Sequence, residues 1–149
     1  RNGGLMLIGL YSEIARRDLK PARDYRSLRE FVSSDADIRR FRAEVSAMEP
    51  DNPVAAVLKH RDFYSVSALR DLLFHVQEHR YDISTISSSV ESLGLRFLGF
   101  ETVPEIQQQF RKQFSHIGAT EDLRLWELFE KQNPDTFRGM YQFWMQKRR

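Results

Sequence analysis

The hydrophobic pattern begins with an uninterrupted apolar run, Leu5–Tyr11, directly after the pair Gly3-Gly4. An apolar run that does not alternate with polar residues is typical of a strand buried on both faces, and the glycines predict a tight turn before it. Such a strand expects neighbouring strands and covering helices on each side. The run therefore predicts an interior strand of an α/β sheet, and the chain as the rear part of a larger α/β domain.

Most of the remaining chain has the three- and four-residue spacing of amphipathic helices. The faces so spaced are Tyr25–Val32, Ile38–Met48, Val66–Val76, Ile83–Leu93, Ile106–Phe114, Leu125–Phe129 and Phe137–Trp144. Candidate helix caps precede several of them: Ser34-Asp35, Ser65 or Ser67, Asp82 and Thr120. Gly94 is a helix terminator before a second predicted strand, Leu95–Phe100. We expect one domain over residues 1–149, helix-rich with a small two- to three-stranded sheet and a helical insertion near residues 13–60.

The composition narrows the class of protein and of partner. The chain has 23 basic and 21 acidic side chains, so its near-neutral balance makes nucleic acid an unlikely partner. Its longest apolar run is far shorter than the roughly 20 residues of a membrane span, so no membrane partner is expected. Cysteine is absent, which excludes disulfides and thiolate chemistry and favours the cytoplasm.

Several segments carry a resemblance to a known family. They are the Gly3-Gly4 turn with Leu5–Ile8, then Gly9–Glu13, Arg70–Tyr81, Leu95–Glu101 and Met140–Trp144. These segments resemble the C-terminal part of a class I S-adenosylmethionine-dependent methyltransferase, of the bacterial type often fused to tetratricopeptide repeats. In that family a Gly-Gly turn precedes the fifth strand of a Rossmann-like sheet, and a helix and a glycine precede the sixth.

The resemblance implies methyl transfer from S-adenosylmethionine to an acceptor that the sequence does not identify. The features that bind the cofactor in such folds are a glycine-rich loop after a first strand and an acidic residue after a second strand. Neither occurs in this sequence. We therefore expect the intact parent protein to be the enzyme, with this chain as its acceptor side, inactive alone and containing no cofactor-binding residue.

The first candidate site follows the first strand. Ligands of open α/β sheets gather beyond the carboxyl ends of the strands, which is where Tyr11, Ser12 and Glu13 lie in the sequence. By the resemblance, Tyr11 or Glu13 orients the methyl acceptor, because methyl transfer depends mainly on positioning. The structural alternative is that Ser12 and Glu13 only cap the next helix.

The second candidate site is the densest group of titratable side chains, His75, Glu78 and His79. Their spacing on a helix predicts one shared side, suited to acceptor binding or acid-base chemistry. A metal site in the manner of a hydrolase and plain surface hydrogen bonding are the alternatives. A looser group consists of His60, Asp62 and Tyr64, and a further histidine, His116, is predicted to lie exposed or hydrogen-bonded between helices.

The alternative function is a non-catalytic helical module that binds a protein partner through its C-terminal helices. Its basis is the aromatic face that Phe137, Tyr141 and Trp144 form at helical spacing. Self-association is expected through that face or through an exposed edge of the sheet.

Overall fold

The computed structural model describes residues 3–74 and 78–148 and shows a mixed α/β fold. The strands are β1 (Leu5–Ser12), β2 (Arg80–Tyr81), β3 (Leu95–Phe100) and β4 (Tyr141–Lys147). The helices are α1 (Lys20–Leu28), α2 (Asp35–Ser46), α3 (Val66–Leu69), α4 (Ile83–Ser92), α5 (Pro104–Gln113) and α6 (Leu123–Gln132). Short 3-10 helices occur at Arg17–Leu19, Pro53–Lys59, Arg61–Tyr64 and Ala119–Glu121, and α3 continues as a π-helical segment, Arg70–Phe74.

The chain divides into two compact units. Unit 1 consists of Arg1–Ala15 and His79–Arg149, and therefore contains the sheet with α4, α5 and α6. Unit 2 is the continuous segment Arg16–Glu78, and its regular structure is helical. Each unit has its own cluster of buried apolar side chains.

The sheet of unit 1 has the strand order β2-β1-β4-β3. β1 pairs in parallel with β2, and antiparallel with β4 from Leu5 opposite Gln146 to Leu10 opposite Tyr141. β4 is also antiparallel to β3, so β1 and β3 run in the same direction on either side of it. The sheet is therefore mixed, and it has four strands rather than the two or three that the sequence predicts.

The prediction of a helix over Phe137–Trp144 is wrong, because Tyr141 onward forms the strand β4. Tyr141, Phe143 and Met145 are buried and alternate with more exposed neighbours, which is the two-residue period of a strand. The helical spacing of Tyr141 and Trp144 is coincidental. Pairing with β1 and β3 satisfies the backbone of this segment on both sides, and a window of local sequence contains no information on those partners.

The core of unit 1 lies on one face of the sheet. Trp126 of α6 is completely buried and stacks on Phe110 of α5, with ring centroids 3.8 Å apart. Phe100 of β3 packs edge-on against Trp126 and close to Phe143 of β4. The core therefore holds both helices against the antiparallel pair of β3 and β4.

The core of unit 2 packs the helices against one another and against the 3-10 segments. Phe41 of α2 is completely buried and meets Phe31 edge-on, with ring centroids 5.6 Å apart. Phe74, at the end of the π-helical segment, packs edge-on against the same Phe41 ring. The predicted face Ile38–Met48 contributes Ile38, Phe41 and Val45 to this core. The predicted face of Tyr25, Leu28 and Val32 is wrong in part, because Tyr25 packs against the core but Leu28 and Val32 are exposed.

Several helix ends follow the predicted capping chemistry. The side chains of Ser34, Ser65 and Asp82 each accept a hydrogen bond from a backbone N–H in the first turn of the following helix. Gly94, with φ of +62°, ends the segment after α4, as the left-handed region favours glycine. The predicted cap Thr120 is wrong, because Asp122 caps α6 and the Thr120 carbonyl accepts the Trp126 indole N–H instead.

Candidate functional site

The predicted site at the end of β1 lies beside the carboxyl end of β2. Tyr11 is opposite Arg80 and Ser12 is opposite Tyr81 in the parallel pair, and the Glu13 N–H donates to the Tyr81 carbonyl at 2.9 Å. Glu13 Oε1 is 3.8 Å from an Arg80 guanidinium nitrogen. The Glu13 side chain is about half exposed and that of Arg80 about a quarter. These two groups therefore present a carboxylate and a cation to solvent at the carboxyl edge of the parallel strands.

A buried hydrogen-bonded cluster lies directly behind this edge. The Ser12 hydroxyl donates to Glu130 Oε1 at 2.5 Å, and the Tyr141 hydroxyl is 2.9 and 2.8 Å from the two oxygens of the same carboxylate. All three side chains have at most 1% of their surface exposed. They come from the end of β1, the last turns of α6 and the start of β4. The cluster therefore ties three elements of unit 1 together.

Burial of this cluster determines the protonation of the Tyr141 phenol. Burial raises the pKa of the Tyr141 phenol well above its usual value, and the neighbouring Glu130 carboxylate adds to that shift. Tyr141 therefore stays a hydrogen-bond donor. Ser12 also accepts the Ala15 N–H at 3.1 Å, so its hydroxyl holds the turn that carries Glu13. The three side chains are closed to solvent. The arrangement therefore serves to hold the end of β1 in place.

The sequence pattern did not lead us to expect a site residue at Glu130, and it wrongly predicted a helix at Tyr141. A signal was present for Glu130, because it occurs one position after the buried Phe129 and four after Trp126, at the spacing of an apolar helical face. A carboxylate at such a position needs buried partners. The alternative that Ser12 caps the next helix is wrong, because its hydroxyl accepts the Ala15 N–H within a turn and the 3-10 helix Arg17–Leu19 begins after Arg16 without a side-chain cap.

The second predicted group is described only in part. Its first member, His75, lies outside the described residues. Glu78 belongs to unit 2, where its carboxylate is 3.1 Å from Arg23 Nη2 and 3.7 Å from Arg16 Nε, and only 6% of its side chain is exposed. His79 belongs to unit 1 and is exposed. Glu78 is thus held by two arginines, and the described residues include no group of three or more His, Asp or Glu placed to hold a metal ion.

The looser group of predicted residues does not form a cluster around His60. The imidazole of His60 is 95% buried, and its Nε2 is 3.1 Å from an Asp18 carboxylate oxygen. The Tyr64 hydroxyl donates instead to the Leu58 carbonyl. His116 is exposed in the turn after α5, where its carbonyl accepts the Ala119 N–H.

Unit 1 also contains a shallow cleft of about 490 Å³ between α4, β3 and the start of α6. Buried Val90, Phe97 and Leu123 line it beneath charged side chains. Two of its arginines are already paired, Arg96 with Glu121 at 2.7 Å and Arg124 with Asp122 at 2.9 Å. Because these charges are compensated within the cleft, it has no evident preference for a ligand of either sign.

Within residues 3–74 and 78–148, no helix combines the length and the apolar character needed to cross a bilayer. No protein-family model matches the chain, and no curated protein matches it.

Proposed function

We propose that this chain is the acceptor-side, C-terminal part of an S-adenosylmethionine-dependent methyltransferase. The observation that carries the proposal is the position of β4, which is antiparallel and lies between β1 and β3, two strands that run in the same direction. By the resemblance, β1 is the fifth strand and β3 the sixth strand of a Rossmann-like sheet. Such sheets are mostly parallel, so these two strands are expected to run in the same direction, as they do on either side of β4.

The connection between β2 and β3 adds to this support. α4 ends before Gly94, and β3 begins at the next residue, which is the helix, glycine and strand order that the resemblance implies before the sixth strand. β1 and β2 are parallel, as the carboxyl-edge site of an open α/β sheet requires. Both features are independent of the residue types in β4.

The proposal gives Tyr11 and Glu13 roles in binding and orienting the methyl acceptor. Tyr11 lies within the last residues of β1 and Glu13 directly follows the strand, and Glu13 with its neighbour Arg80 is accessible to a ligand. Glu78 and His79 stay acceptor-side candidates of lower rank, because Glu78 is already engaged by two arginines. The methyl donor itself does not fit this chain, because neither the glycine-rich loop nor the acidic ribose-binding residue occurs in it.

Calorimetric titration with S-adenosylmethionine tests the proposal on the longer polypeptide that would contain this chain. We expect that polypeptide to bind the cofactor and this chain alone not to bind it. Glu13→Gln in the longer polypeptide should leave cofactor binding unchanged, since the proposed role of Glu13 is toward the acceptor, and Glu105→Gln on α5 is the matched exposed control. Absence of cofactor binding by the longer polypeptide would contradict the proposal.

The alternative, a non-catalytic module that binds a partner through C-terminal aromatic helices, has less support. This alternative needs an exposed helical surface at the C-terminal end, whereas Tyr141 and Phe143 lie in a strand and are buried. Phe137 is buried as well. No described feature favours a helical partner surface there.

A further inference from the structure

The strand pairing that brings Glu13 and Arg80 together is very short. Among the described residues, β1 and β2 pair only through Tyr11 with Arg80 and Ser12 with Tyr81, and β2 itself has two residues. A ladder of this length is weak by itself, because it contributes few hydrogen bonds and buries little apolar area. The geometry at the carboxyl edge therefore needs support from outside these two strands.

Ser12 supplies that support through both functions of its hydroxyl. A serine hydroxyl has one hydrogen to donate and lone pairs that accept. The Ser12 hydroxyl donates to Glu130 Oε1 at 2.5 Å, and its oxygen accepts the Ala15 N–H at 3.1 Å. Because a carboxylate can only accept, Glu130 fixes the direction of the hydroxyl hydrogen and leaves a lone pair of Ser12 toward Ala15.

Glu13 lies between these contacts and is held by them. Its N–H donates to the Tyr81 carbonyl at 2.9 Å, and the bond from Ala15 to Ser12 closes the turn that contains it. The Glu13 carboxylate is 3.8 Å from an Arg80 guanidinium nitrogen and about half exposed. An exposed ion pair of this kind is held only weakly by its own charges. Its geometry therefore depends on the backbone beneath it.

The anchor of this turn lies in the interior of unit 1. Glu130 is completely buried in α6, and both of its carboxylate oxygens are within hydrogen-bond distance of the Tyr141 hydroxyl of β4. Ser12 is only 1% exposed. Water therefore cannot replace either partner of the bond between Ser12 and Glu130, and loss of the Ser12 hydroxyl leaves the Ala15 N–H without this acceptor.

We propose that Ser12 is a positioning residue for Glu13, with Glu130 as the group that orients the Ser12 hydroxyl. The buried bonds keep the Glu13 carboxylate beside Arg80 at the carboxyl edge. The role of this positioning in acceptor binding rests on the proposed function. The positioning itself concerns contacts within unit 1 and can be measured on this chain without a cofactor.

Nitrogen-15 NMR of the Arg80 guanidinium in the full chain tests the proposal, because its chemical shifts depend on the nearby carboxylate. Glu13→Gln removes that charge and supplies the reference shifts. We expect Ser12→Ala to move the Arg80 resonances toward those of Glu13→Gln. Ser12→Thr retains a hydroxyl and should keep them near their original positions.

Thr136→Val is the matched control for loss of a buried hydroxyl in the same unit. The Thr136 hydroxyl donates to the Asn133 carbonyl at 2.6 Å and belongs to unit 1. Its removal should leave the Arg80 resonances in place, because none of the bonds around Glu13 involves it. Circular dichroism checks that each variant retains the fold.

Amide hydrogen exchange gives a second measurement. The Glu13 and Ala15 amides should be protected in the original chain and should exchange roughly tenfold faster or more in Ser12→Ala, as loss of one buried hydrogen bond implies. The Phe114 amide, which donates to the Phe110 carbonyl at the end of α5, should keep its rate.

Three results would each overturn the proposal. They are unmoved Arg80 resonances in folded Ser12→Ala, an equal movement in Thr136→Val, and unprotected Glu13 and Ala15 amides in the original chain. Cofactor binding by the longer polypeptide is measured separately, so the positioning and the proposed function can fail independently.

Discussion

Each unit of this molecule contains a tyrosine whose hydroxyl donates to a glutamate, and the two pairs differ in their surroundings. In unit 1, Tyr141 and Glu130 are both completely buried, and Ser12 joins them. In unit 2, Tyr25 of α1 donates to Glu44 of α2 at 2.6 Å near the surface, where Arg29 lies 3.3 Å from the same carboxylate. The same tyrosine-to-glutamate hydrogen bond therefore occurs once in the protein interior and once near the surface.

The causes of the tyrosine pKa shifts reflect that difference. The pKa of Tyr141 is raised chiefly by burial, whereas that of Tyr25 is raised chiefly by its hydrogen bond to Glu44. Water is available to replace a lost partner at the surface and is excluded in the interior. From this comparison we expect the stability of unit 1 to depend on the pair Tyr141–Glu130. The pair Tyr25–Glu44 only joins α1 to α2 at the surface.

The largest expected effect is that of removing the buried carboxylate. Glu130→Ala leaves the Ser12 and Tyr141 hydroxyls without this acceptor and creates a cavity, so we expect a loss of about 3 kcal/mol or more in unfolding free energy. Glu44→Ala, the matched surface change, should alter stability far less. Chemical denaturation of both variants measures the difference, and equal losses would contradict the comparison.

Removing only the tyrosine hydroxyl should have a smaller effect of the same kind. Tyr141→Phe deletes a hydrogen bond to a buried carboxylate, which corresponds to about 2 kcal/mol of unfolding free energy. Tyr25→Phe should be clearly milder, because water can hydrate Glu44. Denaturant midpoints at neutral pH measure both values, and a Tyr25→Phe variant as unstable as Tyr141→Phe would remove the distinction between the pairs.

The next effect in size is the loss of stability at alkaline pH, to which Tyr141 should contribute more than Tyr25. Because the pKa of Tyr141 is raised in the folded state, its contribution to stability is fully present below about pH 10, the usual tyrosine pKa, and is lost as the pH rises from there. A single tyrosine changes stability by at most about 1.4 kcal/mol per pH unit in that window. We expect Tyr141→Phe to flatten the alkaline decline much more than Tyr25→Phe.

Thermal denaturation followed between neutral and strongly alkaline pH measures this dependence. An alkaline decline that is the same in Tyr141→Phe and in the original chain would show that the buried phenol does not titrate with unfolding.

The smallest expected effect concerns the surface pair alone. The hydrogen bond from Tyr25 lowers the pKa of Glu44, with further help from Arg29. Tyr25→Phe should therefore raise the Glu44 pKa toward its usual value, as measured by NMR titration of the carboxyl group. Tyr64→Phe is a suitable control, because that hydroxyl donates to the Leu58 carbonyl. An unchanged Glu44 pKa in Tyr25→Phe would contradict this account.

The predictable parts of the fold are those whose determinants are local. Ser34, Ser65 and Asp82 cap helices through bonds to residues three positions away, and such bonds can be anticipated from sequence. The apolar run correctly predicted a strand at β1, but its predicted burial on both faces is wrong, because Leu5, Met6 and Leu7 are 62%, 44% and 46% exposed. The strand β4 was not, because its partners β1 and β3 are distant in sequence, β1 at the far end of the chain, and because its aromatic spacing also satisfies a helical pattern.

In the candidate site, too, the local features could be predicted from the sequence and the long-range contacts could not. The positions of Tyr11 and Glu13 at the end of β1 follow from the run before them. The partnership of Ser12 with Glu130 joins residues 118 positions apart, and no periodicity within either segment indicates it. Sequence reasoning could identify Glu130 as a charge on an apolar helical face, but its partners become apparent only when α6 and β4 are both in place.

The long interval between β1 and β4 has a consequence during synthesis on the ribosome. Leu10 emerges about 130 residues before its partner Tyr141, which at roughly 5–20 residues per second corresponds to roughly 7 to 25 seconds. Throughout that time the uncharged β1 segment has no antiparallel neighbour. We therefore expect nascent chains to engage chaperones at this segment, and release should coincide with the emergence of the last strand.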